Sequence, residues 1–264
     1  MARNCVLKPY FQSLYQRTMQ QAYDTAYGHI AASVNSQSQV LDCGASSGWV
    51  YELLAAKSPL SRDQYRGIEW SASAVQEAQA RGFDIVQGDL NRGIAHESDS
   101  FSCVYALSVV EHLLNPCRFL KDCHRVLKPG GQLVLLTPNI STYFTATLIL
   151  MGKMPSSGPH PDSDALLQQQ ELFRVSSESL QHDTETDTPV HRHLVVFSYR
   201  VLRSYLQMLG FKEIKGYGFG LYPFPNFMQP ALERIDPYHC HQMISWRPNS
   251  SIRATKSPAV RGFF

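Results

Sequence analysis

The sequence predicts an α/β fold, a Rossmann-like, mostly parallel sheet with helices on both faces and an inserted lid-like segment. Three observations predict it. Short apolar strand-like runs alternate with helical patterns from about residue 38 to residue 140, the signature of βαβ units. The runs Val40–Leu41 and Leu133–Leu136 are nearly continuous in apolar residues, as strands covered on both faces are. The stretch "VLDCGASSGWV", Val40 to Val50, reads as a buried strand, a glycine turn and the start of a helix.

Each element has a local reason. Residues 11–34 form a helix on the spacing of Leu14, Met19, Ala22, Ala26 and Ile30. "QVLDC" is the first strand, and "SGWVYELLAAK" opens a helix after Gly44. "YRGIEW" is a strand, and "SASAVQEAQARG" is a helix with Ser71 as N-cap and Gly82 as its stop. "FDIVQGD" and "FSCVYALSV" are strands, and "NPCRFLKDCHRVL" is a helix with Pro116 in its first turn. "PGG" is a turn leading to the strand "QLVLLTPN". From Gly152 to Pro189 the chain is polar and acidic, with seven acids against Lys153 and Arg174. Such composition suits a solvated insertion or a lid over a substrate. "SYRVLRSYLQMLG" is a helix stopped by Gly210, "FKEIKGYGF" is a strand and "CHQMISW" a last strand. The expected organisation is one domain over 1–264, with an N-terminal helical segment (1–37), a ligand-binding core (38–150), the insertion (151–190), a C-terminal substrate-shaping part (191–246) and a tail (247–264).

Composition narrows the function. With 264 residues, 44% of them hydrophobic, the chain can bury a full core. A net charge of +2 argues against a nucleic-acid binder, which shows a basic patch or stripe. The tail carries Arg247, Arg253, Lys256 and Arg261 among Ser and Pro, and fraying is expected there. The cysteines Cys5, Cys43, Cys103, Cys117, Cys123 and Cys240 form no CxxC pair, which suits reduced thiols in a cytoplasmic protein. No signal peptide is expected at the N-terminus, and "FTATLILMG" is too short to span a bilayer, so no stable membrane insertion is expected.

The residues that carry chemistry cluster at strand ends. Gly44 and Gly48 flank a tight turn whose following helix offers free amides. The dinucleotide fingerprint is incomplete, since Gly44, Ser46 and Gly48 stand where G-x-G-x-x-G would need more glycine. Asp42, just ahead of the turn, would repel a pyrophosphate and suits an ammonium group or hydroxyls. Glu69 ends the second strand, where a carboxylate can accept from both ribose hydroxyls. Asp89 follows the third strand and can accept from an exocyclic amine. Each acid alone reads equally as a turn or helix cap. Three carboxylates at three successive strand ends point to one nucleoside site.

Taken in order, "VLDCGASSGWV", "GIEWSASAV", "VQGDL", "FSCVYALSVVEHLLNP" and "LKPGGQLVLLTPN" resemble the motifs of class I S-adenosylmethionine-dependent methyltransferases. The likeness is to the branch with an "EHL" signature that includes ubiquinone-biosynthesis-type O-methyltransferases, and "HRHLVVFSYRVLRSYLQMLGF" continues it weakly. The resemblance implies S-adenosyl-L-methionine as cofactor. It implies that Asp42, Gly44, Ala45 and Ser46, with Gly48 closing the turn, cradle the methionine part. It further implies Glu69 on the ribose, Trp70 against the adenine, Asp89 on the adenine amine with Leu90 beside it, and Ser108 near the sulfonium. Glu111 and His112 would begin a short helix there. Ser46 departs from the family, which usually has glycine at that place.

On the acceptor side the candidate bases are His191 and His193, which alternate in "PVHRHLVVFS" and so share a face on a strand, and His112. The more ordinary reading of all three is as packed or surface histidines. His239, Cys240 and His241 lack the spacing of a zinc site, and no metal is expected. Tyr217, Phe219, Tyr222, Phe224 and Phe227 would line an apolar acceptor pocket or pack on the sheet, and Phe11, Tyr15 and Tyr23 would close over the cofactor or join the core. The expected function is methyl transfer to a small-molecule acceptor. Its rivals are a non-catalytic S-adenosylmethionine-binding protein and a nicotinamide-dependent oxidoreductase.

Overall fold

Five parallel strands form the centre of the computed structural model: β1 (Val40–Cys43), β2 (Tyr65–Glu69), β3 (Ile85–Gln87), β4 (Phe101–Leu107) and β5 (Leu127–Pro138). Their spatial order is β3-β2-β1-β4-β5. The order reverses between β1 and β4, which opens a crevice at their carboxyl ends. The structure describes residues 7–155, 157–163, 166, 182–183, 188–189, 192–221, 224, 226–240, 242–244 and 255–256.

Beyond β5 the sheet turns antiparallel. Short pairs β6 (His182–Asp183) and β7 (Thr188–Pro189) form a separate two-stranded ribbon. The remaining strands are β8 (Phe211–Lys212), β9 (Tyr217–Phe219), β10 (Gln242–Ile244) and β11 (Thr255–Lys256). β10 pairs with the carboxyl half of β5 and with β9, while β11 joins β8 to Gln132 of β5. The helices are α1 (Leu7–Ser33), α2 (Trp49–Ala55), α3 (Ala72–Ala80), α4 (Pro116–Val126), α5 (Tyr143–Leu150), α6 (Tyr199–Met208) and α7 (Gln229–Ile235).

Alternation along the strands divides the core in two. Leu41, Val104, Leu133 and Leu135 face Phe119, Leu120 and Cys123 of α4 and Leu202 and Leu206 of α6. Val40, Tyr65, Cys103, Tyr105, Val134 and Leu136 face Ala22, Ala26 and Ile30 of α1, Leu54 of α2, and Val75 and Ala78 of α3. Helices on both faces satisfy strands that are apolar all round.

Several expectations are corrected. "PGG" is not a free turn: β5 runs through it, and the ladder with β4 shifts register between Phe101 and Cys103. Gly130, at φ 80°, supplies the backbone that this irregularity needs. "FKEIKGYGF" splits into β8 and β9 at Glu213, whose φ of 59° ends the extended run. Thr255 and Lys256 lie in the sheet rather than in a frayed tail. Ser71 does cap α3, its hydroxyl accepting from Ala74 N at 3.4 Å. Most of the acidic insertion, and the remainder of the tail, lie outside the described residues. Cys43, Cys103, Cys117, Cys123 and Cys240 are free thiols. Among the described residues no helix is long and apolar enough to cross a membrane.

Candidate functional site

The glycine turn after β1 is built by main-chain bonds. The amides of Gly44 and Ala45 both donate to the Ile68 carbonyl of β2, at 2.8 and 3.1 Å. Gly44 adopts φ 92°, and a Cβ there would lie 2.5 Å from Val109 Cγ2, just beyond the end of β4. Glycine is therefore required on two grounds, conformation and the close approach of the β4 loop. Ser46 sits at φ 47°, in the left-handed region that glycine adopts more readily than serine.

Glu69 ties this turn to the next element. Its Oε2 accepts from Ser46 N at 2.9 Å and its Oε1 from Ser71 N at 2.8 Å. The carboxylate thus stands at the mouth of the crevice, half-buried, with its position set by two amides. Gly48 has a different task from the one expected. At φ 80° it starts α2, and a Cβ would meet the Phe83 ring at 2.8 Å, so this glycine serves packing beneath the turn. Ala45 presents its side chain to the core and only its backbone to the turn.

Asp42 also departs from expectation. Only 2% exposed, it points into the sheet's interior, and its Oδ2 accepts from Tyr65 at 2.6 Å and from Tyr105 at 2.7 Å. Burial raises its pKa to about 7, against the opposing effect of the two phenol donors. Asp42 is a brace under the turn and does not line the crevice. Of the three strand-end carboxylates, Glu69 and Asp89 remain as candidates at the crevice.

Asp89 lies just past β3, where its Oδ1 accepts from Asn91 N at 2.9 Å and its Oδ2 meets Arg92 Nε at 3.5 Å. Leu90 is buried in the core beside it, whereas Trp70 is 70% exposed at the start of α3. After β4, Ser108 adopts φ 56° and accepts from the Tyr23 hydroxyl of α1 at 2.9 Å. Two serines, 46 and 108, are thus held in an unfavoured conformation at the two sides of the crevice, the kind of local strain that clusters at functional sites.

A second group of polar residues follows. Glu111 is 1% exposed, its Oε2 accepts from Thr137 Oγ1 at 3.0 Å, and burial raises its pKa to about 7. Its carbonyl accepts from Leu194 N at 2.7 Å, which brings the segment after the insertion against the β4 loop. His112 Nδ1 contacts the Arg192 carbonyl at 3.0 Å, and His193 Nδ1 contacts the Ser157 carbonyl at 2.6 Å. The rings of His112 and His193 are 5.0 Å apart, and His160 stacks on His193 at 4.9 Å. No metal was expected from spacing, yet one ligand-type atom each of Glu111, His112 and His193 lies within 4.8 Å of the others.

His191 lies outside the described residues, as do Tyr222, His241 and the side chain of Phe11. Tyr217 and Phe219 pack into the core rather than a pocket, Tyr217 stacking on His29 at 5.9 Å. Phe227 is 83% exposed. His239 pairs with Asp236 at 2.8 Å and stacks on Tyr143. The residues that sequence reasoning missed are Tyr65, Tyr105 and His160. The first two had a signal, since a tyrosine on a central strand needs a partner for its hydroxyl.

The chain belongs to a methyltransferase-domain family, whose model matches residues 15–215. It is 31% identical over 124 residues to a ubiquinone biosynthesis O-methyltransferase of Maricaulis maris, covering 44% of this chain and 49% of that protein. The same enzyme of Xanthomonas oryzae is 31% identical over 107 residues, covering 38% of this chain and 43% of that one. The matched part thus spans about half the length of these curated relatives or less. Among solved structures, a SAM-dependent methyltransferase of Thermotoga maritima aligns at TM-score 0.50 with 14% identity, over 90% of this chain and 95% of that one, a likeness of fold.

Proposed function

We propose that the chain is an S-adenosyl-L-methionine-dependent methyltransferase acting on a small-molecule acceptor. The observation that carries this reading is the pair of carboxylates, Glu69 and Asp89, at the ends of adjacent strands beside a glycine turn, in a chain of the methyltransferase family. Glu69 accepts from the ribose hydroxyls while its amide bonds keep it in place. The backbone of Gly44, Ala45 and Ser46 holds the methionine part, Trp70 covers the adenine, and Asp89 takes its amine with Leu90 alongside. Ser108 stands at the sulfonium end. S-adenosylmethionine has no phosphate, and the two acids at this crevice suit a ligand with a positive charge and free hydroxyls.

The reaction is an in-line displacement. The acceptor atom bonds to the methyl carbon as the carbon–sulfur bond breaks, and its electron pair leaves the cofactor a neutral thioether. The protein's larger task is alignment and exclusion of water. A hydroxyl acceptor must also lose a proton. In this reading His112 or His193 receives it, on the ring nitrogen opposite the one bound to a carbonyl. A net charge of +2 supports a small acceptor over nucleic acid.

Calorimetric titration with S-adenosylmethionine tests the reading. Binding is expected in wild-type protein and about 10- to 100-fold weaker binding in Glu69→Gln, the cost of one hydrogen bond to a charged group. Failure of the wild type to bind at millimolar ligand, or binding of a nicotinamide dinucleotide instead, would overturn it. Cofactor binding without transfer to a broad acceptor panel would favour the non-catalytic alternative.

A further inference from the structure

We infer that His239, oriented by Asp236 and Tyr143, is an anchoring site for the methyl acceptor: its Nε2 accepts a hydrogen bond from an O–H or N–H group of that molecule and so selects acceptors that carry such a donor. The inference rests on the methyltransferase reading and names a recognition group for its substrate. The three residues gather beyond the carboxyl end of β5, on the edge of the sheet where Ser108 follows β4. β5 is paired with β4, about 5 Å away in the hydrogen-bonding direction. Asp236 and His239 fall outside residues 15–215, the part that the family model matches.

The site is built from the strand end upward. Asn139, fully buried just past β5, donates from Nδ2 to the carbonyls of Tyr238 and Cys240, at 2.8 and 2.9 Å. One side-chain amide thus grips the chain on both sides of His239. Asp236 accepts from the Tyr143 hydroxyl at 2.6 Å, and its two oxygens lie 2.9 and 2.8 Å from His239 Nδ1. The Tyr143 ring stacks on the imidazole at 4.9 Å, which fixes the plane of the ring. Burial pushes the Asp236 carboxyl up, but the bonds from Tyr143 and His239 outweigh it and hold the group below the usual carboxylate range.

The chemistry of the pair sets the class of ligand. An ionised carboxylate only accepts, so the proton of the neutral imidazole sits on Nδ1 and the lone pair on Nε2. Among the described residues nothing bonds to His239 Nε2, and the side chain is 40% exposed, so a ligand can reach it. The carboxylate behind the ring polarises it and strengthens Nε2 as an acceptor. Hydroxyl, phenol and amine groups suit this nitrogen. A carboxylate or phosphate does not, since it would set lone pair against lone pair beside a negative charge. His239 holds the acceptor here, and the proton-accepting role stays with His112 or His193.

The test uses the full chain, labelled with ¹⁵N-histidine and saturated with S-adenosylhomocysteine, and two probes of like shape. Phenol carries the donor and anisole does not. Phenol is expected to shift the His239 Nε2 resonance and to bind at least about 10-fold tighter than anisole, the cost of one unmade hydrogen bond. The wild type alone gives this readout, so no variant need fold. Asp236→Asn presents an amide that can donate to Nδ1, which moves the imidazole proton to Nε2, and the preference for phenol is expected to vanish. A His239 signal that ignores phenol, equal binding of the two probes, or an unchanged preference in Asp236→Asn would overturn the inference. Binding of S-adenosylhomocysteine by a chain whose His239 ignores phenol would defeat this site and spare the methyltransferase reading. Failure to bind S-adenosylhomocysteine would remove that reading, and the substrate role of His239 with it.

Discussion

Asp42 shows how far a single residue can mislead when read from sequence. Its place before the glycine turn suggested a hand on the ligand, and its chemistry in the fold is that of a buried acid between two tyrosines. The titratable groups that interact with it are Tyr65, Tyr105, Tyr27 and Glu69, with the Cys43 thiol on the opposite face of the sheet. Its pKa rises to about 7 in the fold from the ordinary carboxylate value, so the folded state favours the protonated acid. Stability from this group is fully present below about pH 4 and is lost as pH rises through about 7. Asp42→Asn, which cannot ionise, should flatten that part of the profile. In urea titrations the wild type should lose about 2–4 kcal/mol more than the variant between pH 4 and pH 8, at most. Equal slopes would mean that Asp42 stays ionised on its two phenols. The strand-end positions of Glu69 and Asp89 were legible, because each stands at or just past the end of the apolar run that marks its strand. The burial of Asp42 was not, because nothing local in the sequence reveals that Tyr65 and Tyr105 meet over it.

At the scale of elements, turn and helix signals were read well where they are local. Ser71 as a cap, Pro116 in a first turn and Gly82 as a stop all depend on neighbours within four residues. Long-range demands were not legible. Gly48 looked like part of the ligand turn, yet Phe83, which follows α3, dictates it. Gly48→Ala must place a side chain at φ 80° and 2.8 Å from that ring. A loss of about 2–4 kcal/mol in chemical denaturation is expected from the strained backbone and the overpacking combined. A neutral result would show that Phe83 moves aside freely. α1 carries the same lesson: its apolar spacing announced a helix, but not that Tyr23 would donate to Ser108 across 85 residues of chain. The break of "FKEIKGYGF" into β8 and β9 was hidden too, because Glu213 in a left-handed conformation has no sequence mark comparable to glycine.

For the whole molecule, alternation of apolar runs was enough to announce a parallel sheet with helices on both faces. Parallel strands buried on both sides leave a continuous apolar trace that few other arrangements leave. The crevice between β1 and β4 follows from that order. The histidine cluster was harder. His112 and His193 were named separately, and the bonds of Leu194 and Val195 to the Glu111 carbonyl and of His112 to the Arg192 carbonyl bring them together across the insertion. His160 and His193 grip each other through two hydrogen bonds and a stacked pair of rings. This knot closes the intervening chain into a loop whose two roots are already tied at the rim of the sheet. A short glycine–serine linker in place of residues 164–190 should therefore leave the thermal midpoint within a few degrees of wild type, since loop-closure entropy changes only slowly with length. A collapse of the midpoint would show that the excised stretch supports the core. With its roots tied, such a loop is a cassette: its contents can be exchanged while the scaffold below keeps its shape.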